Sequence, residues 1–313
     1  MSFFGTATYS YQGKYTLNGT LRYEGSNKLG KSRSARWLPT WNLSAAWNAH
    51  EEKFWQPLKP VVNDFKLRGS YGALGNQAVS SYYPYIPTYG VSEVGYLFNG
   101  EKQMGVYAPG LISSSLTWET VKQWDLGFNF SMFDGKLTGE FDYYTRTTED
   151  MLTKSKTLPS ILGTNEPEMN AADLQTRGWE LALTWNQALE NGFKYSATLS
   201  LADYQSEITK YDNPSKNLSD SYYEGKKLGE IWGFVTEGLF KSDEEAASWN
   251  QSEIVGFKQY AGDIKFADLD KDGKITRGEN TVGDPGDMKI IGNSTPRYNL
   301  SLIHISEPTR PEP

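Results

Sequence analysis

Cysteine is absent from the 313 residues, which excludes a disulfide framework, thiolate nucleophiles and thiolate-held metal. Histidine is nearly absent: His50 and His304 are the only two, so a Ser-His-Asp triad or a histidine-metal centre lacks parts. No run of about 20 apolar residues occurs, so no helix is long and greasy enough to cross a bilayer. The mean hydropathy is −0.60. The start, Met1-Ser2-Phe3-Phe4, has neither the basic opening nor the apolar core of an export leader. A net charge of −7 gives no basic footprint for nucleic acid.

What the chain does have is two-residue alternation, repeated between tight turns. Trp124, Leu126, Phe128, Phe130 and Met132 alternate with Asp125, Gly127, Asn129 and Ser131. Successive side chains of a strand point to opposite faces, so such a segment has one apolar and one small or polar face. The same reading applies to 3–11, 15–24, 41–48, 65–71, 137–144, 179–186 and 195–201, and a ninth strand starts near Thr295. Short connections at Gln12-Gly13-Lys14, Asp134-Gly135-Lys136 and Glu190-Asn191-Gly192 lie at one end. Residues 49–63 form a longer link there, with a short amphipathic piece. At the other end are long excursions over 25–36, 73–117, 150–170 and 211–288.

This asymmetry predicts an all-β fold, part of a large antiparallel transmembrane β-barrel of about eight strands plus a started ninth, with long extracellular loops. A soluble β-sandwich also alternates apolar with polar. Three details favour the barrel. Charges sit mid-strand on the polar face (Arg22, Lys66, Arg68, Asp125, Glu140, Asp142, Glu180), as a wet lumen tolerates. On the apolar face they sit only near strand ends, as Lys122, Arg177 and Asp203 do. Trp and Tyr gather at strand ends, as interface girdles do. Eight strands with both edges open cannot stand alone in lipid, so further strands are expected.

Several strings, in order, resemble the C-terminal half of SusC/RagA-type TonB-dependent transporters. They are Leu21-Arg22-Tyr23-Glu24-Gly25-Ser26, Leu67-Arg68-Gly69-Ser70-Tyr71-Gly72-Ala73-Leu74-Gly75-Asn76, Trp118-Glu119 with Asp125-Leu126-Gly127, Phe141-Asp142-Tyr143-Tyr144, and Gly178-Trp179-Glu180-Leu181. Gly262-Asp263-Ile264-Lys265 running into Asp268-Leu269-Asp270-Lys271-Asp272-Gly273, and Gly292-Asn293-Ser294-Thr295-Pro296-Arg297-Tyr298, complete the set. The resemblance implies an outer-membrane importer of oligosaccharides or peptides in a Gram-negative bacterium of the Bacteroidetes. A SusD-like lipoprotein serves as its lid, and TonB drives it through an N-terminal part missing from this chain. It implies no catalysis and no organic cofactor. By the same comparison, residues 1–299 are a partial receptor barrel. Residues 300–313 are an extraneous tail, because the string from Leu300 to Arg310 resembles a translated sequencing adapter; the alternative is a genuine strand end with a Pro-rich tail. His304 then carries no functional weight. Rival readings are a passive porin-like barrel and a soluble β-rich carbohydrate-active protein.

The sharpest local motif is Asp268-Leu269-Asp270-Lys271-Asp272-Gly273-Lys274-Ile275-Thr276-Arg277-Gly278-Glu279, which fits the calcium-loop pattern D-x-[DN]-x-[DN]-G-x5-E. Hard cations want many oxygens. Asp268, Asp270 and Asp272 offer carboxylates, Lys274 a carbonyl, Thr276 the ninth position and Glu279 two oxygens, with Gly273 for the turn. The flanks do not read as helices, so a structural Ca²⁺ clamp without the two-helix hand is expected; the alternative is a solvated acidic turn. A second feature is an aromatic loop with Tyr82, Tyr83, Tyr85, Tyr89, Tyr96, Phe98 and Tyr107. Aromatic faces with polar tips suit contact with a sugar or peptide, with a lid protein, or with one another. Trp232 and Trp249 are open to the same readings. Glu140 and Asp142, two apart on one strand, belong to a solvated polar row rather than to a hydrolase pair.

Overall fold

Each alternating segment finds its neighbour in sequence as its neighbour in space. The computed structural model describes residues 1–28, 36–77, 83–113, 116–190 and 192–307. In chain order come β1 (Ser2–Tyr11), β2 (Tyr15–Gly25), β3 (Trp37–Asn48), β4 (Val62–Asn76), β5 (Gly90–Phe98) and β6 (Glu101–Tyr107). They are followed by β7 (Glu119–Met132), β8 (Leu137–Lys154), β9 (Glu168–Ala188) and β10 (Lys194–Tyr211). The short β11 (Glu230–Phe234), β12 (Thr236–Leu239), β13 (Ile264–Phe266) and β14 (Met288–Asn293) precede β15 (Tyr298–Glu307). Two short helices, α1 (Asp243–Ser248) and α2 (Ser252–Val255), lie between β12 and β13.

One sheet of nine strands runs in the order β1-β2-β3-β4-β7-β8-β9-β10-β15. This is the expected set of eight strands and a ninth. The sheet is open, with β1 and β15 at its edges. The chain divides into two compact units, residues 1–206 with 297–313, and residues 207–296. The second unit thus takes in the end of β10 from Glu207 and runs to just before β15. The excursion after β4 holds the β5–β6 hairpin.

The register keeps the two faces separate. Arg68 stands opposite Gly127, and Gly127 opposite Asp142. Gly127 supplies the gap across which Arg68 reaches Asp142, at 2.5 Å. Arg68 Nε also donates to Asn129 at 2.9 Å, and Asn129 donates to Glu140 at 3.3 Å. Hydroxyl pairs continue this polar row on other strands, Thr6 with Thr20 at 3.1 Å and Thr184 with Thr198 at 3.0 Å. On the opposite face aromatic rings meet across strands: Trp41 with Tyr71, Phe65 with Phe128, Phe128 with Phe141, and Trp124 with Tyr143. Such cross-strand pairs are the unit of sheet stabilisation, about 0.2–1 kcal/mol each.

β15 keeps this parity only at its start. Its register places Ile303 opposite Thr198 and Ile305 opposite Ser196, on the polar face, and His304 opposite Ala197 on the apolar face. The reversal falls within the adapter-like string.

Strands outrun what a bilayer requires. β8 has 18 residues and β9 has 21, against the 9–11 of a membrane-spanning strand. The alternation read from sequence stops at Tyr144, whereas β8 continues through Thr145, Arg146, Thr147 and Thr148, where both faces are polar. At this long-connection end the returning chain builds a small core. Leu116 and Trp118 are buried, and buried Glu119 accepts from Asn76 Nδ2 at 2.5 Å and from the Leu152 N–H at 2.7 Å. Trp118 lies over Gly75, where a Cβ would stand 2.9 Å from its ring. The strings Leu74-Gly75-Asn76 and Trp118-Glu119 are therefore two halves of one packing contact.

Replacing Gly127 by alanine tests the row. A Cβ there meets Phe141 O at 2.7 Å and collides with the Asp142 carboxylate. Gly127→Ala is expected to cost about 1–3 kcal/mol, read by urea unfolding of the receptor in detergent micelles. Gly5→Ala, which meets nothing within 4 Å, is the neutral control.

Candidate functional site

The acidic loop is built by short turns. Gly273 (φ +81°) and Lys271 (φ +65°) take left-handed backbone, and glycine supplies the first without steric cost. The turns aim N–H groups at carboxylates: Lys271 and Gly273 donate to Asp268 at 2.6 and 2.9 Å, Asp272 to Asp270 at 3.1 Å, and Lys274 to Asp272 at 2.7 Å. β13 precedes the loop, in keeping with an extended flank rather than a helix.

The carboxylates that meet are Asp268, Asp270 and Asp287, each offering an oxygen within 4.8 Å of the others. Asp272 and Glu279 are not members of that mutually close group. The Glu279 N–H is held by Asp284 at 3.3 Å, and its side chain is exposed. Thr276 serves as a dock: its N–H donates to Asp287 Oδ2 at 2.8 Å and its carbonyl accepts the Asp287 N–H at 3.0 Å. Its hydroxyl accepts from the Gly278 N–H at 3.1 Å. Ile275 is buried and its N–H donates to Asn250 O at 2.8 Å, within a parallel bridge that pairs Asn250 with Lys274.

Asp287 is the residue that sequence reasoning missed. It is 0% exposed, and its other oxygen accepts the Leu269 N–H at 2.6 Å. It returns to the loop because Gly278 (φ +53°) and Gly286 (φ +55°) touch: a Cβ on Gly286 would stand 2.5 Å from Gly278 N. The usable signal was Gly283-Asp284-Pro285-Gly286-Asp287, an acidic turn sequence whose last residue lies eight beyond the pattern's own end.

The donor set is hard oxygen throughout, which suits Ca²⁺ rather than a soft or borderline ion. Asp270 has its proton affinity set by opposed effects. The hydrogen bond from Asp272 N–H lowers its pKa, but burial and the neighbouring Asp272, Asp287 and Asp268 charges raise it, and the net shift is upward. Carboxylates crowded in this way repel one another, and a bound divalent cation would offset that repulsion.

The aromatic set splits. Tyr82 lies outside the described residues. Tyr83 and Tyr85 pack edge to face at 6.2 Å and both meet Asn27, through Asn27 Nδ2 to the Tyr83 hydroxyl and the Tyr85 hydroxyl to Asn27 O, each 3.4 Å. Tyr89, Tyr96 and Tyr107 belong to the β5–β6 hairpin and its approach; Tyr89 is 70% and Tyr96 65% exposed. Trp232 and Trp249 are packing residues. Trp232 donates to Glu230 at 2.9 Å, beside Tyr223, whose pKa burial and its bond to Glu230 push up to about 12. Trp249 donates to Phe266 O at 3.1 Å, under the Lys265 ammonium.

A family model described as TonB dependent receptor-like, beta-barrel, matches residues 1–299. The chain belongs to that family. TonB-dependent receptor P3 of Formosa agariphila is 29% identical over 315 residues, covering 96% of this chain and 30% of that protein. TonB-dependent receptor SusC of Bacteroides thetaiotaomicron is 30% identical over 234 residues, covering 73% of this chain and 22% of that one. Among solved structures, the RagAB peptide importer in its "open-open" state shares the fold with a TM-score of 0.69 at 20% identity, over 97% of this chain and 30% of that one. The chain thus spans 22–30% of the length of these two receptors. TonB-dependent receptor barrels are outer-membrane proteins, and the relatives are named receptors and transporters, not enzymes. The expectations of family, all-β class and absence of catalysis therefore stand.

Removing the Asp287 carboxylate unseats two backbone donors. Asp287→Ala is expected to destabilise the loop by roughly 1–3 kcal/mol, seen as faster amide hydrogen exchange at Leu269 and Thr276, with exchange in β7 unchanged.

Proposed function

We propose that this chain forms wall and outer loops of a TonB-driven importer of oligosaccharides or peptides in the outer membrane of a Gram-negative bacterium. The observation that carries the reading is the match of residues 1–299 to the receptor barrel, together with a nine-stranded sheet whose one face is polar and the other aromatic. In this reading ligand is taken up between the outer loops and a SusD-like lipoprotein lid. TonB then acts on a part of the receptor outside this chain and opens a path along the polar row. The names SusC and RagAB among the similar proteins support the lid and the cargo class. In this reading the exposed Tyr89, Tyr96 and Tyr107 meet lid or ligand. Deleting the receptor gene that carries this chain is expected to abolish uptake of one oligosaccharide or peptide class, and deleting TonB to do the same. Uptake that persists without TonB supports a passive barrel instead.

The acidic loop, in this proposal, holds a structural Ca²⁺ through Asp268, Asp270 and Asp287, with the Lys274 carbonyl as a further oxygen. The sign of its pH dependence follows from Asp270. A pKa raised by folding means the folded loop holds that proton more tightly than the unfolded chain. Without cation, the loop therefore gains stability as pH falls through the folded pKa, and carries the full repulsion above it. Ca²⁺ reverses this, because it binds only the deprotonated group. At neutral pH a hundredfold excess of Ca²⁺ over its Kd is expected to stabilise the unit by about 2.7 kcal/mol, with the gain lost as pH falls into the carboxylate range. Thermal unfolding of the receptor with Ca²⁺ or chelator checks it. An identical melting temperature in both, or a Ca²⁺ effect kept by Asp268→Ala, removes the metal from the proposal.

A further inference from the structure

The connection between β3 and β4 departs from its neighbours at the short-turn end. Three residues suffice between β1 and β2, whereas here the chain takes two 3-10 turns, Ala49–Glu51 and Lys53–Trp55, and then further turns as far as Val61. From Trp55 onward its backbone donors need no water. The N–H groups of Trp55, Gln56, Leu58, Lys59, Val61 and Val62 all donate within the segment, at 2.8–3.4 Å, and the two remaining positions, Pro57 and Pro60, have none. A segment with its donors satisfied internally carries fewer unpaired groups into the boundary between headgroups and acyl chains.

Its side chains divide as an interfacial element's do. Phe54 and Leu58 are 61% and 50% exposed, while Lys53 and Lys59, one residue away from each, are exposed too. The apolar side continues the aromatic face of the sheet without a break. The Phe54 ring lies 6.3 Å from Trp47 and 6.2 Å from Trp55, Trp55 stacks on Phe65 at 5.2 Å, and Phe65 stacks on Phe128 at 5.8 Å. On its polar side His50 fixes the segment to β4: the Phe65 N–H donates to Nδ1 at 3.2 Å, and Nε2 lies 3.4 Å from Asp64.

We propose that residues 53–61 are a membrane-interface anchor whose occupant is phospholipid. Phe54 and Leu58 lie in the acyl region of the leaflet at the short-turn end, while Lys53 and Lys59 face the phosphate headgroups. Interfacial segments bury their apolar face about 5–10 Å into the headgroup–acyl boundary and carry Lys or Arg on the polar face. The inference rests on the outer-membrane reading of the wall, because the ring ladder points to lipid only if the face it continues does.

This chain has no cysteine of its own, so labels can be placed in it singly once any cysteine elsewhere in the receptor is replaced. Single-cysteine variants Phe54→Cys, Leu58→Cys, Lys59→Cys and Leu126→Cys of the receptor carrying this chain are spin-labelled in phospholipid nanodiscs. Collisions with oxygen, which concentrates in lipid, are compared with collisions with a nickel chelate, which stays in water. Oxygen is expected to dominate at 54, 58 and 126, and the chelate at 59. If 126 reports lipid while 54 and 58 report water, the anchor is wrong and the wall stands. If 54 and 58 are shielded from both reagents, protein covers the segment and the anchor is again wrong. If 126 itself reports water, the outer-membrane reading falls with it.

Discussion

A strand in lipid has no water to pair with, so every other property of this wall depends on the cross-strand hydrogen-bond ladder and the register it enforces. A slip of one residue exchanges the faces. It would turn Arg68 toward lipid, where a cation at the midplane costs roughly 2–4 kcal/mol, and would break the Arg68–Asp142 contact across Gly127. The polar row and the ring ladder are thus two consequences of one register, and each disfavours the slip that would lose the other.

That logic explains what could be read from sequence. Period-two alternation identified the wall strands because each has one face that must be apolar, and Gln12-Gly13-Lys14 and Asp134-Gly135-Lys136 marked where the chain reverses. The reading failed where the constraint lapses. Past Tyr144 both faces of β8 are polar, so nothing in Thr145–Thr148 distinguishes strand from loop. β11 to β14, three to six residues each, are too short to show a period. The acidic pattern located Asp268 and Asp270, but proximity along the chain favoured Glu279 as the distant ligand. Asp287 joins Asp268 and Asp270 only because two glycines meet, a tertiary event that a linear pattern does not contain.

The inserted unit follows a different physics from the wall. It has buried apolar side chains, among them Ile208, Phe240 and Ile275, and side-chain hydrogen bonds knit its turns. Asn213 alone serves Asn217 and Tyr222 through its amide. Its order comes from burial and polar satisfaction, as in a water-soluble domain, whereas the wall's comes from pairing between strands. One chain therefore holds two solutions to the cost of ordering a backbone, each suited to its own solvent.

Where the insertion begins and ends, Arg297 grips Asp203 with two parallel bonds, at 2.9 and 2.7 Å, and Asp203 stands in register with Tyr298. The departing and returning strands are clasped side by side before the insertion begins. For a flexible insert, closing such a loop becomes costlier only logarithmically, by about 0.6 kcal/mol for each doubling of its length. The clasp therefore makes residues 207–296 a cassette. It can lengthen, shorten or be exchanged for another fold with little effect on the strand ladder, so that one wall can carry many different inserts.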